Sequence, residues 1–203
     1  TVGTSLALAL RNAETHRQFQ ELACRDGLTG LLNRRALEQV IEREFKAGTR
    51  YRSSACFLLV DLDFFKSVND RFGHLAGDQV LTSAAALMRK TVRDTDEVGR
   101  FGGEEFGIVL PYTNLDRALV LAERLRRQIE MQEFETDQGI VRMTASIGIA
   151  HIPGMSIRSL SEWIAAADLA LYDAKALGRN RVVIHAPDQA VSIESVLLAQ
   201  GAA

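Results

Sequence analysis

Residues 55–62 read ACFLLVDL, a run of eight with no charged side chain before Asp61. It is too short to cross a bilayer, which takes roughly 18–20 apolar residues. Before Asp61 it is apolar at every position rather than every second one. That pattern fits a central strand covered on both faces, and such a strand needs helices or another sheet on each side of it. The rest of the chain supplies them. Residues 77–92 place Val80, Leu81, Ala84, Leu87 and Met88 on one helical face, and residues 114–131 repeat the spacing with Leu115, Ala118, Leu119, Ala122, Leu125 and Ile129. Residues 96–110 read as two strands about a Gly-Gly turn, VRMTASIGIAHI as a strand, residues 159–177 as a helix and RVVIHA as a last short strand. Strands alternating with helices, plus one hairpin, predict an α/β fold of the α+β sandwich kind, with a central mixed β-sheet flanked by helices.

The organisation along the chain is simple. Residues 1–25 predict a leading helix, in which Leu6, Leu10, Ala13 and Phe19 form a stripe interrupted by His16 and Gln20. A short coiled coil and an amphipathic helix packed on its own domain both fit that stripe. Residues 26–185 form the domain proper, and residues 186–203 are a tail without periodicity. The start carries neither a basic segment nor a cleavage site of the secretory kind. It lacks an initiator Met, so the chain reads as a piece of something longer. At 203 residues, 47% hydrophobic and 25% charged, the composition is that of a globular domain that needs no disulfide. Cys24 and Cys56 stand far apart and read as thiols of a reducing, cytoplasmic compartment. A formal net charge of −2 provides no basic field for a nucleic-acid polymer.

No phosphate-loop signature and no nucleophile elbow occurs, and His16, His74, His151 and His185 have no metal-ligand spacing. Carboxylates beside glycines stand out instead. Asp61 and Asp63 fall at the end of the apolar strand, where a charge is costly unless exposed or paired with a cation. Glu104 and Glu105 follow Gly102 and Gly103 in the hairpin, and a Gly-Gly pair lets a phosphate approach the backbone. Acids from a strand end and a neighbouring hairpin suit Mg²⁺, which takes oxygen ligands and substrate phosphates. The same spacing also fits solvated acids on a turn. KSVNDRFGHLAGDQVL reads as a loop entering a helix, with Asn69 and Asp78 offering the groups that read a guanine edge. Asp78 would equally favour a helix N-terminus. Lys175 and Arg179, four apart across a helix end, suit either a terminal phosphate or the helix C-terminus.

Taken in order, DGLTGLLNRRAL, DLDFFKSVNDRFGHLAGD, RFGGEEF, TASIGIA and ADLALYDAKALGRNRV resemble the GGDEF family of diguanylate cyclases, in its GGEEF variant, over about residues 24–185. The resemblance implies a nucleotidyl-cyclase-like fold with the signature on a β-hairpin. It implies condensation of two GTP into cyclic di-GMP and two pyrophosphates, with Mg²⁺ as cofactor, two ions per active site, and Mn²⁺ as a substitute. Asp61, Glu104 and Glu105 resemble the catalytic and metal-holding acids, with the Leu62 carbonyl as a further ligand. Leu28, Asn69 and Asp78 match the guanine pocket. Phe64, Phe65, Lys66, Gly102, Gly103, Lys175 and Arg179 match the phosphate contacts.

One domain holds one GTP and the product needs two, so the resemblance implies a homodimer in which each 3′-hydroxyl meets the partner's α-phosphate. It further implies an upstream sensory domain acting through the leading helix, and a cytoplasmic location, tethered to a membrane where the missing part so provides. Arg93-Asp94-Thr95-Asp96, ending shortly before Gly102, resembles the R-x-x-D site at which cyclic di-GMP inhibits, with Arg124 contributing. The rival within the family is a silent receptor for GTP or cyclic di-GMP, and no residue of the signature is lost here.

Overall fold

The computed structural model describes residues 24–152 and 157–185. The leading helix expected over residues 1–25 lies outside these except at Cys24 and Arg25, and the tail from 186 onward lies wholly outside. The elements are α1 (Arg34–Tyr51), β1 (Ala55–Leu62), α2 (Phe65–Phe72), α3 (His74–Thr91), β2 (Glu97–Gly102), β3 (Glu105–Pro111), α4 (Leu115–Met131), β4 (Phe134–Thr136), β5 (Gly139–Val141), β6 (Ala145–Ile152), α5 (Leu160–Ala176) and β7 (Val182–Ile184).

Five strands make the main sheet in the order β2-β3-β1-β6-β7. The apolar run is its centre, antiparallel to β3 on one side and to β6 on the other. β7 joins β6 in parallel, so the sheet is mixed. Residues of β1 alternate between two cores, which is why the strand is apolar throughout. Cys56, Leu58 and Val60 pack with Val80, Leu81 and Met88 of α3 and Leu125 and Ile129 of α4. Phe57 and Leu59 pack with Leu37 and Ile41 of α1 and Trp163 of α5 on the opposite face. Each fully buried Leu, Ile or Phe in these layers stabilises the fold by about 1.5–3 kcal/mol. By the same alternation Asp61 points to the α1 and α5 side, at the rim where α5 ends.

Helix α5 lies unusually close to the sheet. A methyl group at Gly148 of β6 would come within 2.2 Å of the Ala167 carbonyl oxygen, so only glycine admits the helix backbone there. Trp163 anchors the contact by donating its indole N–H to the Ala150 carbonyl at 3.1 Å.

The structure departs from the sequence reading in three places. Helix α1 was not anticipated; its few apolar residues lie on one face, behind an N-cap in which Asn33 accepts from the Ala36 N–H at 3.0 Å. The segment read as a loop entering a helix is two helices, α2 and α3, broken at Gly73 with φ +84°. The strand read from residue 141 begins at Ala145, because Val141 belongs to a separate small hairpin, β4-β5. No helix of the described residues is long and apolar enough to cross a membrane.

Candidate active site

The site lies at the rim where β1 ends and the β2-β3 hairpin turns. Asp61 is 7% exposed and stands opposite Glu105 in the β1-β3 register. The Leu62 N–H donates to the Glu104 carbonyl at 3.3 Å, which brings both signature acids beside the strand end. Burial pushes the Asp61 carboxyl above its ordinary range; the Lys175 ammonium, 2.7 Å from Asp61 Oδ2, opposes this, and Glu104 and Glu105 add to it. Three acids therefore share one field with one ammonium among them.

Among the described residues no three His, Cys, Asp or Glu side chains converge into a ready-made metal cage. That donor set suits Mg²⁺ nonetheless. The ion is bound by one or two carboxylates and fills its remaining positions with water and phosphate oxygens.

Asp63 has a different part from Asp61, although the two acids stand almost side by side in the chain. It is 3% exposed and fully engaged. The hydroxyls of Thr144 and Ser146 donate to its two oxygens at 2.6 and 2.7 Å, and the Asn180 N–H donates to Oδ2 at 3.1 Å. A buried carboxylate satisfied by three local donors is a structural tie.

The signature turn is held by a residue that the sequence reading missed. The Arg100 guanidinium donates twice to the Gly103 carbonyl, at 3.0 and 2.8 Å, and reaches Asp26 at 3.4 Å. Asp26 in turn accepts from the N–H and hydroxyl of Thr29 at 2.9 and 2.7 Å, which closes the loop carrying Leu28. An arginine directly before Phe101-Gly102-Gly103 was the available signal.

Leu28, Asn69 and Asp78 gather around the α2-α3 junction. The Leu28 carbonyl accepts from Thr82 Oγ1 at 3.5 Å, one turn beyond Asp78. Asn69 on α2 lies against Gly77 on α3, where a methyl group would come within 1.9 Å of Asn69 Oδ1. Asp78 is exposed.

Phe64 sits at the start of the β1-to-α2 connection with φ +59° and is 64% exposed, and the Arg179 guanidinium stacks 4.6 Å from its ring centroid. Phe65 is buried in the core, so what it offers a ligand is its backbone, whereas the Lys66 side chain is exposed. Gly102 is half-buried and Gly103 exposed, with nothing near the position of a Gly103 side chain.

Arg93, Asp96 and Arg124 line a cavity of about 450 Å³ between the α3-β2 connection and α4, together with Leu110, Thr113 and Arg117. Asp96 is 1% exposed; Oδ2 accepts from the Arg93 N–H at 2.9 Å, while Oδ1 is buried with no hydrogen-bond partner. Arg124 is tethered through Nη2 to the Thr91 carbonyl at 2.8 Å. The arginines at this cavity, Arg93, Arg117 and Arg124, suit a ligand that carries anionic oxygens.

Comparison with known proteins bears on the fold and the family. The chain is 37% identical over 184 residues to the probable diguanylate cyclase DgcC of Escherichia coli K12, covering 90% of this chain and 48% of that one. It is 41% identical over 166 residues to the diguanylate cyclase DgcM of the same organism, covering 82% and 39%. It thus spans half or less of these curated relatives. The fold matches the crystal structure of the coiled coil and GGDEF domain of DgcB from Caulobacter crescentus in complex with c-di-GMP, with a TM-score of 0.83, 28% identity, and coverage of 90% of this chain and 96% of that one. The family model described as diguanylate cyclase, GGDEF domain, matches residues 23–181, and the chain belongs to that family.

Proposed function

We propose that this chain is the catalytic domain of a diguanylate cyclase, condensing two GTP into cyclic di-GMP and two pyrophosphates. The observation that carries the reading is the grouping of Asp61, Glu104 and Glu105 at one strand end, with Lys175 beside them. Residues suited to a guanine (Asn69 on α2, Asp78 on α3 and Leu28 before α1), to the phosphate loop (Lys66) and to terminal phosphates (Lys175 at the end of α5 and Arg179 after it) lie around them.

In this reading the α2-α3 junction takes the base. The Asn69 amide supplies a donor and an acceptor, and the Asp78 carboxylate accepts from N1–H and N2–H₂. The Gly102-Gly103 turn and residues 64–66, Lys66 among them, lie along the phosphates, whose terminal charge is met by Lys175 and Arg179. Asp61, Glu104 and Glu105, with the Leu62 carbonyl, would hold Mg²⁺ or Mn²⁺, two ions per site. Such ions, when bound, neutralise phosphate charge and acidify the attacking hydroxyl. Glu105 borders the position of the incoming 3′-hydroxyl.

Because one domain holds one GTP, two copies meet about a twofold axis, each presenting its hydroxyl to the other's α-phosphate. The Arg93, Asp96 and Arg124 cavity is assigned to feedback by the product, whose phosphates match the arginine forks. In this reading the domain works in the cytoplasm, where GTP is, and answers to an upstream sensory domain.

The test is incubation with GTP and Mg²⁺ and identification of the nucleotide products. Cyclic di-GMP and pyrophosphate in a one-to-two ratio are expected, with none from Glu104→Ala. That substitution removes a half-buried hairpin side chain, so the variant should keep its melting temperature. Binding of GTP without turnover, in wild type under dimer-forming concentrations, would instead make the domain a receptor.

A further inference from the structure

The turn after α5 holds three successive residues at positive φ, Gly178 (+114°), Arg179 (+63°) and Asn180 (+46°). The last two are not glycine, and such a pair persists only where its surroundings over-determine it. Backbone bonds fix its start: the Gly178 N–H donates to the Lys175 carbonyl at 3.3 Å and the Arg179 N–H to the Ala174 carbonyl at 3.0 Å.

Asn180 fixes its end with its side-chain amide and its backbone N–H. Its Oδ1 accepts from Arg126 Nη1 at 2.7 Å, its Nδ2 donates to Glu130 Oε1 at 2.7 Å, and its backbone N–H donates to Asp63. Arg126 is itself braced on α4 by Glu123 at 3.1 Å and Glu130 at 2.8 Å. Asp63 is braced by Thr144 and Ser146 of the loop into β6 and β6 itself. The turn is thus tied to α4 on one side and to the end of β1 on the other, and Arg179 is the residue between those ties. Its guanidinium ends over Phe64, itself left-handed, at the mouth of the site.

We propose that Asn180 is a positioning residue: by clamping the turn to Arg126 and Glu130 of α4 and to Asp63, it aims the Arg179 guanidinium at the terminal phosphates of the nucleotide. The proposal rests on the reading of Arg179 as a phosphate contact. A long arginine side chain loses much freedom when it binds, and a backbone already fixed at its root reduces that loss. Asn180 touches no nucleotide itself. Its removal therefore weakens recognition of the β- and γ-phosphates and leaves recognition of the base alone.

The experiment compares 3′-deoxy-GTP, which lacks the attacking hydroxyl, with GMP, which lacks the terminal phosphates, by calorimetry in the presence of Mg²⁺. The proteins are wild type, Arg179→Ala, Asn180→Gly, Glu130→Ala and the Arg179→Ala/Asn180→Gly pair, each in the full chain. Glycine at 180 adopts the native φ without strain, and Glu130 is an exposed partner whose loss leaves the core intact, so both variants fold. Arg179→Ala should weaken 3′-deoxy-GTP binding about tenfold, the scale of one charge-assisted contact. Asn180→Gly should weaken it by about half as much on a logarithmic scale, and Glu130→Ala by less. GMP should bind all variants equally, and the double variant should be no worse than Arg179→Ala alone. Wild-type affinity in Asn180→Gly, an equal loss for GMP, or multiplying effects in the double variant would overturn the proposal while leaving Arg179 as a phosphate contact. Wild-type affinity in Arg179→Ala would overturn that underlying reading, and the proposal with it.

Discussion

The Lys175 ammonium lies 2.7 Å from Oδ2 of Asp61, the buried acid at the end of the central strand. A cation of the protein's own thus occupies the carboxylate that is assigned to Mg²⁺, and the two must compete. Lys175→Met should lower the Mg²⁺ concentration that half-saturates thermal stabilisation in the absence of nucleotide. The expected change is about fivefold, the equivalent of roughly 1 kcal/mol for a partly screened pair. An unchanged midpoint would mean that Lys175 and the metal do not share Asp61.

Gly77 and Asn69 make a second test of the site. A side chain at 77 would drive into the Asn69 amide, 1.9 Å from the position of the new methyl group. Gly77→Ala should displace that amide and raise KM for GTP about tenfold, because a polar group aimed at the substrate is lost. Asp78→Asn keeps the shape but mismatches guanine's two donors, and kcat/KM for GTP should fall by several kcal/mol equivalents. Kinetic constants for GTP check both. Wild-type values in both variants would move the base pocket elsewhere.

The feedback assigned to the Asp96 cavity can be tested at Arg93. Its backbone N–H, rather than its side chain, holds Asp96, so Arg93→Ala should leave the cavity intact. Product should then bind more weakly, by about 2 kcal/mol for a lost guanidinium fork, while the initial rate is kept. Titration of cyclic di-GMP into initial-rate assays is the check; equal inhibition of wild type and variant would place any inhibition at the active site.

Asp26 predicts a pH dependence. Burial raises its carboxyl, but the hydroxyl and N–H of Thr29 and then Arg100 outweigh this and hold it below its ordinary range. A carboxyl lowered by folding contributes stability above its unfolded value of about 4, and loses it as pH falls through the lower folded value. Asp26→Ala should therefore cost about 1–2 kcal/mol near neutral pH, with the gap to wild type closing below about pH 4. Urea unfolding at both ends of that range measures it. A gap of constant width would show that the carboxylate charge contributes nothing.

Much of this could be read along the chain. Continuous apolarity in 55–62 implied a strand with two covered faces, and β1 has two. The RFGGEEF hairpin, helices α4 and α5 and the mixed sheet also followed from local pattern. Helix α1 did not, because it buries one narrow face and is otherwise charged. The split of residues 65–91 into two helices was hidden too, because it depends on a single glycine backbone angle rather than on hydrophobic period.

What the sequence by itself determined was the set of chemical groups and the elements that carry them, since propensity, period and turn chemistry act between near neighbours. It determined that acids end the central strand and follow Gly-Gly, and that Arg93 stands three residues before Asp96. Only the tertiary structure decided which groups work together. Asp61 and Asp63 are two residues apart, yet one faces Lys175 and the other is consumed by Thr144, Ser146 and Asn180. Arg100 holds Asp26 across 74 positions, and Asn180 meets Asp63 across 117. Hydrogen bonds and ion pairs act over a few ångströms of space, and separation along the chain carries no information about that distance until the sheet and its helices have packed.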